Sequence, residues 1–137
     1  MGALVDTSIF VAAEREATPS DHILAHVGVD PEEPVALAAI TAGELLLGVE
    51  LADQTHVAER LAFIEAVLAG WEVLPFGVTE AAVWARLRAQ LRPLGVSIGH
   101  ADLEVAATAL ARGWSVATLN RRDFDRVPGL RVLAPSA

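Results

Sequence analysis

Ala3-Leu4-Val5-Asp6-Thr7-Ser8 combines a three-residue apolar run with an acid and two hydroxyl residues. The apolar run predicts a short buried strand. Asp followed by Thr and Ser is a favourable helix start, because the Asp side chain can accept a hydrogen bond from a free N–H group of the first turn. Short apolar runs alternate with helical segments along the rest of the chain. This alternation predicts an α/β fold with a parallel sheet between helices.

The apolar runs and turn residues predict the bounds of each element. We expect strands at residues 3–5, 35–40, 72–74, 115–118 and 130–133. We expect helices at residues 7–13, 20–27, 41–51, 56–69, 79–91 and 100–112, with Ser20 or Asp21, Thr41 and Thr79 as caps. Residues 1–137 fit a single domain, and ligands of such sheets bind beyond the carboxyl ends of the strands.

The composition restricts the function. Cysteine is absent, so disulfides and thiolate metal sites are excluded. The formal net charge is −8, and all ten basic residues are arginine, which argues against a simple nucleic-acid-binding module. An enzyme with acids gathered around a cation remains compatible with this charge. No secretory signal or membrane-spanning run is evident, so we expect a cytoplasmic protein without a membrane partner.

Two acids stand near predicted strand ends, and each also has a structural interpretation. Asp6 directly follows the first strand and can serve as a helix cap. Glu44 lies three residues after Thr41, a spacing typical of a capping box. Glu44 also lies on the same helix stripe as Leu47 and Leu51, where a solvated acid is not expected.

The carboxyl-terminal half supplies two further acids. Asp102 lies in the first turn of the most apolar helix, where a carboxylate suits the helix dipole, and its own helix face predicts that it points inward. Asn120 and Asp123 follow the strand predicted at 115–118, and Asn120 can also form a turn or cap. His100 lies beside Asp102 and is a further candidate for substrate contact.

Taken together, these acids predict a cation site at one edge of the sheet. Two carboxylates about 4 Å apart repel by roughly 4 kcal/mol at an effective dielectric near 20, so a cluster requires a cation or protons. Oxygen ligands without cysteine or a well-placed histidine favour Mg²⁺, which Mn²⁺ can replace, over zinc.

Four segments in order resemble the motifs of VapC-type PIN-domain toxins, the ribonuclease halves of bacterial VapBC toxin–antitoxin pairs. The resemblance covers residue 3 to about residue 133. The segments are Leu4-Val5-Asp6-Thr7-Ser8, Thr41-Ala42-Gly43-Glu44-Leu45-Leu46-Leu47-Gly48, Ile98-Gly99-His100-Ala101-Asp102-Leu103 with Ala106-Ala107-Thr108-Ala109, and Thr118-Leu119-Asn120-Arg121-Arg122-Asp123-Phe124, followed by Val127-Pro128-Gly129-Leu130.

The resemblance implies a three-layer α/β/α PIN domain with a parallel five-stranded sheet, a homodimer, Mg²⁺-dependent cleavage of RNA and inhibition by a VapB-type antitoxin. On the matching positions, Asp6, Glu44 and Asp102 would surround the metal, with Asp6 and Asp102 as principal ligands, and Asp123 would be the fourth acid. Relatives often carry Asp where this chain has Asn120, and this departure either weakens a second metal site or only changes the hydrogen bonding there.

The implied mechanism is hydrolysis by metal-activated water, with Glu44 or Asp123 accepting the proton and with 5′-phosphate and 3′-hydroxyl products. The residues considered for phosphate contact, each of which could equally be an ordinary surface residue or cap, are Thr7, Ser8, Arg92, Arg121 and Arg122.

Other classes of protein fit the sequence less well. The chain lacks the lysine that a receiver domain needs, and Ser8 stands where a haloacid-dehalogenase-like phosphatase would have a second Asp. Neither a Walker A loop nor a GxGxxG turn is present. The non-enzymatic alternative is a catalytically weak PIN scaffold that serves dimerisation and partner binding.

Overall fold

A computed structural model describes residues 1–135, which form five strands and six α-helices. The strands are β1 (Ala3–Val5), β2 (Val35–Ala38), β3 (Glu72–Leu74), β4 (Ser115–Ala117) and β5 (Val132–Leu133). The helices are α1 (Thr7–Arg15), α2 (Ala39–Glu50), α3 (Val57–Gly70), α4 (Val78–Leu91), α5 (His100–Arg112) and α6 (Arg121–Phe124). Two 3-10 helices cover Ser20–His26 and Arg92–Leu94.

The five strands form one parallel sheet in the order β3-β2-β1-β4-β5. The central strand β1 pairs on both sides, with Leu4 opposite Ala36 of β2 and Val116 of β4. All strands point the same way, so their carboxyl ends meet at one edge of the sheet. The prediction of a parallel five-stranded sheet is confirmed.

Helices cover both faces of this sheet, which gives the predicted three layers. Successive strand residues point to opposite faces. Val5 therefore belongs to a core with α1, α2 and α3, whereas Leu4 belongs to a core with α4, α5 and α6. The largest fully buried side chains include Phe10 in the first core and Phe124 in the second. None of the helices within residues 1–135 is long and apolar enough to cross a membrane.

The predicted start of α2 is wrong. The helix begins at Ala39, because β2 ends at Ala38 and its extended backbone turns directly into the first helical turn. Thr41 is thus inside the helix, fully buried, and its hydroxyl has no hydrogen-bond partner among the described residues. The proposed capping box between Thr41 and Glu44 does not form.

Other element boundaries also differ from the predictions. Helix α4 begins at Val78, and Glu80 accepts a hydrogen bond from the Gly77 N–H at 3.0 Å, so Thr79 is not its cap. The segment predicted as a helix at 20–27 is the 3-10 helix Ser20–His26, which has no side-chain cap. The four-residue helix α6 was not predicted. It is too short for an apolar periodicity to be visible in the sequence.

Candidate active site

The strand order brings the predicted site residues to one edge of the sheet. Asp6 follows β1, Glu44 lies on the helix that follows β2, and Asn120 and Asp123 follow β4. Because β2 and β4 flank β1, these residues share the carboxyl edge. Asp102 reaches the same region from the first turn of α5.

Asp6 is a buried carboxylate whose position is fixed by hydroxyl groups. It is 5% exposed, and it occupies the cap position of α1. Its Oδ2 accepts hydrogen bonds from Ser8 Oγ at 2.7 Å and Thr118 Oγ1 at 2.8 Å. The Ser8 N–H also approaches Oδ2, at 3.4 Å. Among residues 1–135 no hydrogen bond to Asp6 Oδ1 is formed, so one oxygen is held and the other is available.

Glu44 lies across from α1, and its carboxylate accepts a hydrogen bond from a side chain of that helix. Thr7 Oγ1 donates to Glu44 Oε1 at 2.6 Å, which connects the first turn of α1 to α2. The expectation that Glu44 shares a buried stripe is wrong, because Glu44 is exposed and Leu47 and Leu51 are 54% and 76% exposed. Helix α2 buries a different face instead, formed by Thr41, Ala42, Leu45 and Val49.

Asp102 shows that the four acids influence one another. Its side chain is partly buried, in agreement with the inward orientation predicted from its helix face. Burial, followed by the negative charges of Asp6, Asp123 and Glu44, raises the pKa of Asp102 to about 6. Acids separated in sequence by more than a hundred residues therefore share one electrostatic environment.

Two neighbouring cavities contain these side chains. Asp6, Glu44 and Asp102 line the first, of about 470 Å³. Asp102 and Asp123 line the second, of about 530 Å³. Asn120 lies on both, so the cavities meet at Asp102 and Asn120. The predicted convergence thus holds for three acids in one cavity, with the fourth beside it.

The carboxylate of Asp123 is paired with an arginine side chain. Arg126 Nη2 forms an ion pair with Asp123 Oδ1 and also donates to the Ser97 carbonyl at 3.0 Å. As the side chains are placed, no three acids or histidines within residues 1–135 are close enough to hold one metal ion. The oxygen donors suit Mg²⁺ or Mn²⁺. A metal ion held by three of these acids would therefore require their side chains to approach one another.

The other predicted residues have different surroundings. Thr7 and Ser8 donate to the acids, so their hydroxyls are engaged by the site itself. Arg121 and Arg122 both line the second cavity, and Arg121 also forms an ion pair with Asp125 at 2.8 Å. Arg92 lines neither of these two cavities and instead lines a separate one.

Thr118 is a site residue that the sequence shows only as part of a longer motif, without an individual role. It is fully buried, donates to Asp6, and accepts a hydrogen bond from the Asn120 N–H at 2.9 Å. Asn120 occupies the cap position of α6 but makes no side-chain cap hydrogen bond. A hydroxyl residue directly after a strand is the signal in the sequence that could have identified Thr118.

Comparisons with known proteins agree on the fold and the group. The PIN domain family model matches residues 3–130. Ribonuclease VapC1 from Rickettsia felis is 38% identical over 138 residues, which cover 100% of this chain and 98% of that protein. The VapBC-5 structure from Mycobacterium tuberculosis is 34% identical, with a TM-score of 0.74 and full coverage of both chains. The structure of VapBC2 from Rickettsia felis, bound to a promoter DNA fragment, shares the fold with a TM-score of 0.85 at 24% identity and covers 99% of this chain and 100% of that chain.

Proposed function

Because this chain belongs to the PIN domain family, and within it to the VapC group, we propose that it is a metal-dependent endoribonuclease acting as a toxin. Its partners in this proposal are an RNA substrate, a VapB-type antitoxin and a second copy of the chain. The observation that supports the catalytic part best is the electrostatic coupling of Asp102 to Asp6, Asp123 and Glu44 at the carboxyl edge of the sheet.

A coupled group of acids is costly unless something compensates for it. Three carboxylates line one open cavity, and desolvation together with their mutual repulsion keeps the pKa of Asp102 near 6. A fold maintains such a cost where it serves a function, and perturbed carboxylates in a cleft are typical of catalytic sites. When bound, Mg²⁺ or Mn²⁺ would neutralise the carboxylates and activate water for attack on a phosphodiester.

The side chains of such a site have different proposed roles. Asp6 and Asp102 are the proposed metal ligands: the hydroxyls of Ser8 and Thr118 orient Asp6, and the first turn of α5 presents Asp102. Glu44 is the proposed proton acceptor, because its carboxylate is exposed and is oriented by Thr7. Asp123 is the fourth acid, at the mouth of the adjoining cavity.

The experiment that tests this function uses protein freed of any antitoxin. The purified chain should cleave RNA when Mg²⁺ or Mn²⁺ is added, and EDTA should stop the reaction. Asp6→Asn should abolish cleavage while the circular dichroism spectrum stays unchanged. Asp53→Asn is the matched control, because Asp53 is an exposed acid paired with His56 outside the site.

Four outcomes bear on this conclusion. Normal cleavage by Asp6→Asn would show that the active-site assignment is wrong. A wild-type chain that binds its antitoxin but never cleaves RNA would establish the scaffold alternative. Growth arrest on expression, relieved by a co-expressed antitoxin, would be expected of a toxin and not of a housekeeping nuclease. A monomer in light scattering would exclude the homodimer.

A further inference from the structure

A third cavity lies beside the acids and has the opposite character. It has a volume of about 580 Å³, and its wall is formed by the end of α4, the 3-10 helix after it and residues 95–100. The titratable side chains on this wall are Arg88, Arg92 and His100, and none of its lining residues is acidic. The chain as a whole has a net charge of −8, so a cavity lined by basic and not by acidic residues differs from the rest of the molecule. Its basic lining favours an anionic ligand.

Two aromatic rings line the same cavity. The rings of Trp84 and His100 are stacked, with centroids 6.0 Å apart and planes inclined by 18°. His100 is exposed, so its ring can accept another flat group. The indole Nε1–H of Trp84 is buried without an acceptor among the described residues, a state that usually reflects a missing water or ligand contact.

The arginines of this wall have different surroundings. The Arg88 guanidinium lies 5.5 Å from the centroid of the Trp84 ring and donates to the Ile98 carbonyl at 3.0 Å, so it holds the wall together. Arg92 is exposed and forms no ion pair within residues 1–135. Its guanidinium is therefore available to a ligand, and this group binds phosphate in a bidentate manner.

The cavity is connected to the candidate active site in two ways. His100 lines it, while Asp102, two residues later on α5, lines both acidic cavities. Both residues lie in the first turn of α5, so the start of this helix contributes to the cavity and to the acidic site. Arg126 adds a second connection, because it binds both Asp123 and the Ser97 carbonyl of the cavity wall.

We propose that this cavity is a nucleotide subsite for the RNA strand, adjacent to the phosphodiester that is cleaved. Arg92 contacts a backbone phosphate, and a base stacks on the exposed face of His100, continuing the column that begins at Trp84. This inference rests on the proposed ribonuclease function. Such a subsite also explains how an acidic chain binds a polyanion, because the basic residues that contact the RNA lie next to the acids rather than among them.

The test measures RNA binding separately from cleavage. A fluorescently labelled single-stranded RNA is titrated with protein in EDTA, and anisotropy is recorded at several salt concentrations. Arg92→Gln should weaken binding and reduce the salt dependence of log affinity by about 0.7, the value for one phosphate contact on a single strand. His100→Ala should weaken binding roughly 5- to 100-fold, the range for loss of one stacked base.

Arg86→Gln is the matched control, because Arg86 is an exposed arginine on α4, the helix that ends just before Arg92, and it does not line the cavity. It should leave affinity and salt dependence unchanged. In cleavage assays with Mg²⁺, Arg92→Gln and His100→Ala should raise KM more than they lower kcat. The melting temperature of each variant shows whether it is folded.

The outcomes separate this inference from the proposed function. If the wild type does not cleave RNA, the proposed function fails. If the wild type cleaves while Arg92→Gln and His100→Ala bind and cleave like Arg86→Gln, only the subsite is wrong. If these two variants change the oligomeric state and leave RNA affinity intact, the cavity is an interface between two copies of the chain, and the subsite is again wrong.

Discussion

Replacing Asp102 with asparagine should make the metal-free protein more stable. The pKa of Asp102 rises from 3.8 to about 6 in the folded state, through burial and then the charges of Asp6, Asp123 and Glu44. The folded chain therefore binds this proton more tightly than the unfolded chain, and stability falls as pH rises from about 4 to 6. Asparagine keeps the shape of the side chain and removes the charge.

The size of the effect follows from the same pKa. Each unit of difference corresponds to about 1.36 kcal/mol, so ionised Asp102 costs roughly 2 kcal/mol of unfolding free energy after allowance for solvent screening of a partly exposed group. Asp102→Asn should therefore raise the melting temperature at pH 7.5 in EDTA by roughly 5 to 10 °C. Added Mg²⁺ should stabilise the wild type and leave the variant unaffected.

Urea unfolding followed by circular dichroism between pH 3.5 and 7.5 measures this difference. The gain in stability of Asp102→Asn should be largest above pH 6 and disappear towards pH 3.5. Asp53→Asn should behave in the opposite way, because hydrogen bonds from His56 lower the pKa of Asp53 and stabilise its charged form. An Asp102→Asn variant less stable than wild type at pH 7.5 would show that Asp102 makes favourable contacts and would refute the reasoning.

Three further substitutions test the geometry of the site and of the fold. Thr118→Val keeps the buried volume but removes a hydrogen bond to Asp6. RNA cleavage should therefore drop at least tenfold, and the free energy of unfolding should fall by roughly 1 to 3 kcal/mol. Unchanged cleavage would show that Thr118 is not part of the site. Gly2→Ala should destabilise the fold by roughly 1 to 3 kcal/mol in urea unfolding, because its Cβ would lie 2.4 Å from the Trp114 ring. Gly43→Ala should instead stabilise the fold by about 1 kcal/mol, because no atom outside its own helix lies within 4 Å of the added Cβ. If Gly2→Ala and Gly43→Ala changed the free energy of unfolding equally, this would contradict the close packing of Gly2 against Trp114.

The sequence predicted the sheet well because each strand carries its own signal. The apolar runs ending at Val5 and Ala117 are each followed by a polar residue, and burial on both faces of a parallel sheet requires such runs. The starts of α2 and α4 were missed for a physical reason. Thr41 and Thr79 are favourable caps by residue type, but the direction in which the chain leaves the preceding segment decides where a helix begins.

The acids of the site could be predicted singly, whereas their partners could not. Asp6 is recognisable because it directly follows a strand. The hydrogen bond from Thr118 depends on β4 lying next to β1, which the sequence order of the strands does not reveal. The exposed positions of Leu47 and Leu51 show the same limit, since periodicity identifies an apolar stripe but not what covers it.

Binding of Mn²⁺ is the most direct test of the claim that these acids form a cation site. Electron paramagnetic resonance can follow free Mn²⁺ as it is titrated with the purified chain. We expect the wild type and Asp53→Asn to bind the ion equally, and Asp6→Asn and Asp102→Asn to bind it at least tenfold more weakly. A wild type that leaves Mn²⁺ free, or an Asp6→Asn variant that binds it with unchanged affinity, would contradict the account.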